Sequence, residues 1–320
     1  MSGVRKWTGR RCEREAPHVG SSQEREDAAA DAAASSYEPA RISRREFLKV
    51  TAAVVTPLFL GTGYYSWQVE PHWLEIVTRR MAIRALPGAL EGARLVQLSD
   101  IHVGPVVSDE YVLDTFRRVA ALRPDIVVMT GDLTSYAVDV LTHARRIYSH
   151  FPHGRLATLC TLVNHDYGPG WTHYDDADRL AATMRELGVR VLRNEIAEVG
   201  GLQIVGMDEL WADRFDPVRA LAALDPRQAM LALSHNPDTV DLPGWDGFQS
   251  WVLAGHTHGG QVKPPFLPPP ILGVRNRRYT AGEFGLSGGR RMYINRGVGH
   301  LQQIRFDCRP EVTLFELHRA

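Results

Sequence analysis

Five short apolar runs in this chain break off at residues of metal-ligand type. Leu98 leads into Ser99-Asp100-Ile101-His102, Thr130 into Gly131-Asp132, and Val163 into Asn164-His165-Asp166. Ser234 leads into His235, and Ala254 into Gly255-His256-Thr257-His258. Short runs rich in Val, Ile and Leu are strand candidates. In α/β architectures ligands gather at the C-terminal ends of strands, because side chains from distant stretches of sequence converge there. A lone His102 or His235 reads as a hydrogen-bonded core histidine, and Gly131-Asp132 alone as a turn. Five such ends in one chain point instead to one shared site. Residues two apart in an extended segment point the same way, about 6.5 Å apart along the strand. That spacing would aim Asp100 with His102, and His256 with His258, at that site.

The rest of the chain divides into three. Residues 1–40 hold six basic and seven acidic side chains but no Leu, Ile or Phe. Such a segment cannot bury enough apolar surface to offset its ordering entropy, so it reads as a disordered tail. Residues 41–69 contain Ser43-Arg44-Arg45-Glu46-Phe47-Leu48-Lys49 and then twenty uncharged residues, 50–69. This resembles a twin-arginine export signal. It implies passage through the twin-arginine translocase and a location at the outer face of the cytoplasmic membrane, or in the periplasm or beyond. Twenty uncharged residues can also just span a ~30 Å hydrocarbon core, so the segment is either a retained anchor or a cleaved signal. Residues 70–320 suit one large domain. Strands are expected at 94–98, 126–130, 156–163, 230–233, 251–254, 292–294 and 312–317, and helices at 110–122, 138–148 and 176–187. Alternation followed by a strand-rich half predicts an α/β fold of two stacked mixed sheets flanked by helices.

Lys+Arg and Asp+Glu both number 37, which leaves no global field to concentrate nucleic acid, and no nucleic-acid partner is expected. Three scattered cysteines exclude a disulfide framework or a Cys-rich zinc site, and Cys160 reads as a buried thiol.

The motifs L-S-D-I-H, G-D-L, N-H-D, S-H-N-P-D and G-H-T-H-G-G-Q, in that order over residues 98–261, resemble the calcineurin-like metallophosphoesterases. The flanking Glu70 to Glu75 and Cys308 to Glu311 stretches are similar to its exported or membrane-bound phosphodiesterases, a branch related to UDP-2,3-diacylglucosamine hydrolases. The resemblance implies an αββα sandwich and two divalent metal ions. Asp100, His102 and His258 would hold one, Asn164, His235 and His256 the other, and Asp132 would bridge them. Imidazole nitrogen with carboxylate and amide oxygen suits Mn²⁺, Fe or Zn²⁺. Such a pair lowers the pKa of a shared water and clamps phosphoryl oxygens. His165 would serve the leaving oxygen, with Asp166 orienting it.

The implied function is a phosphodiesterase acting at or outside the membrane on a phosphoester, including a lipid-linked phosphate or pyrophosphate. A phosphomonoesterase or nucleotidase with the same site is the alternative. Arg296, His300 and His173 are candidate substrate contacts. One departure matters: Val163 stands where the family has Gly. If its φ is positive a β-branched residue is strained there, and the chain would be a weakened, membrane-tethered binder of phosphate ligands; if its φ is extended, Val163 merely lengthens a strand. After the last motif, residues 263–272 form a Pro-rich apolar loop rimmed by Arg275, Arg277 and Arg278. It reads either as a cover over the core or as a face for lipid, with the cover favoured.

Overall fold

The computed structural model describes residues 42–136 and 139–320. The tail expected over 1–40, and Arg41, lie outside the described residues. The chain divides into two units at Leu58/Phe59. Helix α1 (Arg44–Tyr64) opens on a capping box: the Glu46 carboxylate accepts from the Ser43 amide at 3.1 Å, and the Ser43 hydroxyl accepts from the Glu46 amide at 3.2 Å. Arg44 and Arg45 therefore sit in the first turn of a helix. None of the α1 side chains is buried, and the helix is long and apolar enough to cross a membrane.

The unit from Phe59 onward holds two six-stranded sheets. Its strands are β1 (Glu75–Ile83), β2 (Arg94–Leu98), β3 (Ile126–Met129), β4 (Ala157–Thr161), β5 (Arg190–Leu192), β6 (Glu195–Val199), β7 (Leu202–Gly206), β8 (Ala229–Leu233), β9 (Trp251–Ala254), β10 (Gly282–Gly285), β11 (Arg291–Ile294) and β12 (Glu311–Arg319). The first sheet runs β1-β12-β2-β3-β4-β5 and the second β10-β11-β9-β8-β7-β6. Both are mixed: β12 is antiparallel to β2, and the β6–β7 and β10–β11 pairs are antiparallel, among otherwise parallel neighbours. Helices α2 (Asp109–Ala121), α3 (Val140–Tyr148) and α4 (Tyr174–Glu186) follow β2, β3 and β4, and the short α5 (Pro217–Leu221) follows β7.

Period-two alternation sorts the strands into three layers of core. Leu95, Ile126, Val128, Leu159 and Phe315 meet Ile204, Leu231, Leu233 and Leu253 between the sheets. Val96, Leu98, Val127 and Met129 turn outward onto Val112, Phe116, Ala144 and Leu180 of the helices. Val205, Met230, Ala232, Val252 and Ile294 form the outer face of the second sheet with Trp245 and Phe248. This is the two-sheet sandwich the sequence predicts. Cys160 is fully buried in the helix-facing layer, and burial pushes its thiol up, out of nucleophilic range.

The expected strands all form, β2 and β9 with the expected bounds and the others with ends shifted by no more than two residues. β1, β5, β6, β7 and β10 were not expected. β1 carries Glu75, Arg79 and Arg80, and most of it is exposed or half-buried at a sheet edge, so the alternation that betrays a strand is largely missing. α4 begins two residues earlier than expected; the expected start of α3 at 138 lies outside the described residues. Residues 65–72 are helical turns docked on the domain: Glu70 is buried and accepts from the amides of Asp307 at 3.0 Å and Cys308 at 2.5 Å.

Candidate metal centre

The polar residues after β2, β3, β4, β8 and β9 converge at one end of the sandwich. One Asp100 oxygen lies 3.2 Å from Nε2 of His258, which lies 3.1 Å from Nε2 of His102. Asp132 Oδ2 lies 3.5 Å from His102 Nε2 and 3.3 Å from His235 Nε2. His235 Nε2 in turn lies 3.2 Å from Nδ1 of His256. The ligand atoms fall into two groups within 4.8 Å: Asp100, His102, Asp132 and His258, and then Asp132, His235 and His256. Asp132 is common to both. Asn164 is buried beside them, and its amide oxygen has no hydrogen-bond partner.

The backbone reaches this arrangement differently from the extended spacing expected above. Asp100, His102, Asp132, His256 and His258 all have left-handed backbone, with φ of 51°, 55°, 51°, 71° and 48°. Non-glycine residues adopt that conformation at a cost of order 1–3 kcal/mol each, and it concentrates at functional sites. The loops hold it through a parallel ladder that outlasts the strands: the Asp100 amide donates to Gly131 O and the His102 amide to Asp132 O, both at 3.0 Å.

Other contacts aim the imidazoles. Nδ1 of His235 lies 2.6 Å from the Thr130 carbonyl, Nε2 of His256 2.9 Å from the Gly273 carbonyl, and Nδ1 of His102 3.1 Å from the Ser135 hydroxyl. Each ring thus turns its remaining nitrogen to the centre, as outer contacts do at metal sites. Burial pulls His102 and His256 down to about 3 and holds His258 well below its usual range, so all three stay neutral, the form that binds metal. Burial also lifts Asp100 to about 6. At Asp132 burial works upward, but His235, His165 and His102 outweigh it and hold the carboxyl well below its usual range. At His235 burial works downward, but Asp132 and Asp100 outweigh it and raise the imidazole to about 10. Asp100 and Asp132 thus place buried carboxylate charge at the centre, where His235 or a bound cation would balance it. With an orphaned amide oxygen and nitrogen-and-oxygen donors free of thiolate, the residues fit divalent ions.

His165 lies against this centre. Its amide donates to Asp132 Oδ1 at 3.1 Å and its ring meets that of His102 edge to face, centroids 4.9 Å apart. Asp166 does not orient it, contrary to expectation: that carboxylate accepts from the amides of Val163 and Thr134, each at 3.1 Å, and locks the loop. Val163 is extended, with φ −147°, and packs on Gly131, where a Cβ would come within 2.3 Å of its methyl. The strain that would have weakened the site is absent.

Of the candidate substrate contacts, none lines the cavity at the centre. Arg296 is held between Glu311 and Glu75, at 2.5 and 2.8 Å. His173 is half-exposed and paired with Asp176. His300 is buried beside His72.

Two residues that motif reading passed over support the ligands. Buried Glu209 accepts from the amides of Asn164 at 3.0 Å and Trp211 at 2.8 Å, and burial lifts it to about 7. It follows β7, whose run Leu202–Gly206 was the signal available to find it. Arg305 is wholly buried and donates to the carbonyls of Cys308, Arg296, Gly297 and Gly299 at 2.6–3.2 Å. It clamps the turn whose Gly297 and Gly299 lie against Asp100 and Ile101 too closely for any Cβ. No motif marks it.

A cavity of ≈ 420 Å³ opens at the centre, lined by Asp132, Asn164, His165, His256 and His258 and by Trp171, Trp211, Ile271, Leu301 and Ile304; the Trp211 ring lies 4.6 Å from that of His256.

The model of the calcineurin-like phosphoesterases matches residues 93–260. Phosphodiesterase YaeI of Escherichia coli is 32% identical over 288 residues, 86% of this chain and 99% of that one. The uncharacterized metallophosphoesterase YkuE of Bacillus subtilis is 30% identical, over 87% of this chain and 98% of its own. UDP-2,3-diacylglucosamine pyrophosphatase LpxG of Chlamydia trachomatis is 26% identical, over 83% and 96%.

Proposed function

The chain belongs to the calcineurin-like phosphoesterase family, and from that premise we propose that this phosphoester hydrolase is a two-metal phosphodiesterase whose substrate joins a phosphate or pyrophosphate to a lipid. The observation that carries the reading is the junction of two unlike surfaces. Two donor sets sharing Asp132, with the unpartnered oxygen of Asn164 at hand, adjoin a cavity that is also lined by tryptophan and aliphatic side chains. Such a wall suits a phosphoester that carries a large apolar group. The names of two relatives, a phosphodiesterase and a diacylglucosamine pyrophosphatase, point the same way.

Asp100, His102, Asp132 and His258 would hold one ion, and Asp132, Asn164, His235 and His256 the other. When bound, the two ions supply Lewis-acid activation of a water and charge neutralisation at phosphorus. His165, half-buried at the cavity's inner end, gives its proton to the departing oxygen. Glu209 fixes the Asn164 backbone, and Trp171 and Trp211, with ring centroids 4.6 Å apart, form the wall against which the apolar group rests. We further propose export by the twin-arginine translocase and residence at the outer face of the cytoplasmic membrane; Ser43 to Lys49 and the apolar α1 support this.

The test is the full chain, stripped and reloaded with Mn²⁺, assayed on an activated phosphate diester beside the matching monoester and an Asp132→Asn control. Diester turnover that needs metal and Asp132 is expected. A preference for the monoester would make the protein a phosphomonoesterase, and bound ions without turnover would make it a phosphate-ligand binder. Replacing Arg44 and Arg45 by Lys should strand the protein in the cytoplasm on cell fractionation; unchanged export would remove the twin-arginine reading.

A further inference from the structure

Two segments that line the cavity, 270–271 and 301–304, carry or adjoin large apolar side chains left in water. Phe266 is fully exposed, Ile271 is 80% exposed and Leu267 66%. Leu301 and Ile304 are also exposed, and with Pro270 and Ile271 they line the cavity. The 301–305 segment is tied to the turn that follows α1: the Arg305 amide donates to Ser66 O at 2.8 Å, and the Gln303 side chain to Trp67 O at 3.0 Å. Trp67 is itself exposed, as are Phe59, Leu60 and Tyr64 before it. Exposed Trp67 is thus joined through these bonds to the rim of the cavity.

These side chains are held outward on a rigid base. Pro269 is buried against Gly260, Arg277 donates to the Pro269 carbonyl at 2.7 Å, and the Gln261 side chain donates to the carbonyls of Gln302 at 3.1 Å and Ile304 at 2.9 Å. The Pro-rich loop is thus not the cover over the core that its composition favoured; Pro269 and Leu272 alone turn in, and Phe266, Leu267 and Ile271 turn out. Monomeric proteins rarely leave such a contiguous patch in water unless it meets something. Charge indicates what it meets. Residues 261–282 carry Lys263, Arg275, Arg277 and Arg278 and no Asp or Glu, and none of the four is ion-paired among the described residues. Apolar tips among unpaired cations suit the head-group boundary of an anionic bilayer, whereas the centre of a protein interface is depleted of charge.

We propose that Phe266, Leu267, Ile271, Leu301, Ile304 and Trp67 form a rim that dips into an anionic lipid surface, so that the cavity opens at the head-group boundary. This rests on the lipid-linked substrate proposed above and deepens it. An amphiphile enters sideways from the bilayer, its phosphate reaching the metal centre past Trp171 and Trp211 while its hydrocarbon never crosses water.

The test uses the full chain in vesicles. With Cys12→Ser as background, and Cys160 and Cys308 buried, an environment-sensitive fluorophore is placed at Phe266→Cys and, as a control on a remote exposed site, at Val218→Cys. Lipids brominated near the head group should quench the 266 probe by about half, as expected for a depth of roughly 5–10 Å, and leave the 218 probe unchanged. Arg275→Gln with Arg278→Gln should reduce that quenching, as should replacing anionic by zwitterionic lipid. Overturning results are an unquenched 266 probe, equal quenching at both sites, or a 266 signal that changes with protein concentration without lipid, which would assign the rim to a second copy. Turnover of the water-soluble diester is measured on the same samples. An unquenched probe with intact turnover defeats the rim alone, and absent turnover defeats the enzymatic reading alone.

Discussion

The two sheets furnish unlike halves of the metal centre. Loops of the first sheet bring Asp100, His102, Asp132 and Asn164, chiefly oxygen donors, whereas those of the second bring His235, His256 and His258, all imidazole. The halves are fastened to each other at this end by hydrogen bonds running both ways. Both oxygens of Asp100 accept from the His256 amide at 3.1 Å, Glu209 reaches back from β7 to the Asn164 amide, and the side chain of Gln97 on β2 donates to the Ala254 carbonyl of β9 at 2.9 Å. Deeper between the sheets the contact is hydrocarbon. Hydrocarbon packing tolerates small slips, but a set of directional bonds does not. The sandwich is thus held by its core, and its register at the site by polar bonds.

Removing the oxygen that faces imidazoles from both sheets breaks this arrangement most directly. Asp132→Asn should lower turnover by more than about 10²-fold, beyond the 10–100-fold typical of outer-shell partners; steady-state kinetics with saturating Mn²⁺ would show it. Withdrawing the ions tests whether they also join the halves. Chelation should lower the Tm reversibly, since a ligand at about 100 times its Kd adds ~2.7 kcal/mol to the native state; a Tm indifferent to metal would mean the polar bonds suffice. Within the first sheet alone, Val163→Gly should cost about 2 kcal/mol in denaturant unfolding, because it empties the contact with Gly131. It should not raise turnover, since Val163 is unstrained. The smallest effect belongs to neither half. Asp109, on α2, is partly buried, which raises its carboxyl, but hydrogen bonds from Arg146 and His143 of α3 outweigh this and lower it. Its contribution is full above the unfolded value near pH 4 and is lost as pH falls through the depressed native value. Asp109→Asn should flatten that acid limb by less than about 1 kcal/mol, read from unfolding midpoints between pH 3 and 6.

Much of this was legible along the chain, for a local reason. β2, β3 and β9 are dense in Val, Leu and Met, buried on both faces, and end in residues whose chemistry announces metal. A run of apolar residues and the donor types that follow it are properties of adjacent positions. So is the uncharged stretch 50–69, most of which forms the apolar body of α1. β1 was hidden because, charged and mostly exposed or half-buried at a sheet edge, it lacks the apolar run that marks a strand, and only its pairing with β12, from Glu75↔Glu311 to Ile83↔Arg319, makes it one.

The tertiary structure alone decided the orientations. Nothing local requires left-handed backbone at Asp100 or His258; the loop ladder and the turn clamped by Arg305 impose it. Arg296, a candidate for phosphate by its Gly-rich turn, is claimed by Glu75 and Glu311 because β1 and β12 meet there. Whether Val163 strained its loop depended on a dihedral angle, and whether Phe266 faced the core or the water depended on Pro269 seating against Gly260. Sequence alone determined which donors the protein owns and in what order they arrive, since those are fixed by covalent succession. Where each points is the outcome of packing among parts of the chain that sequence does not place side by side.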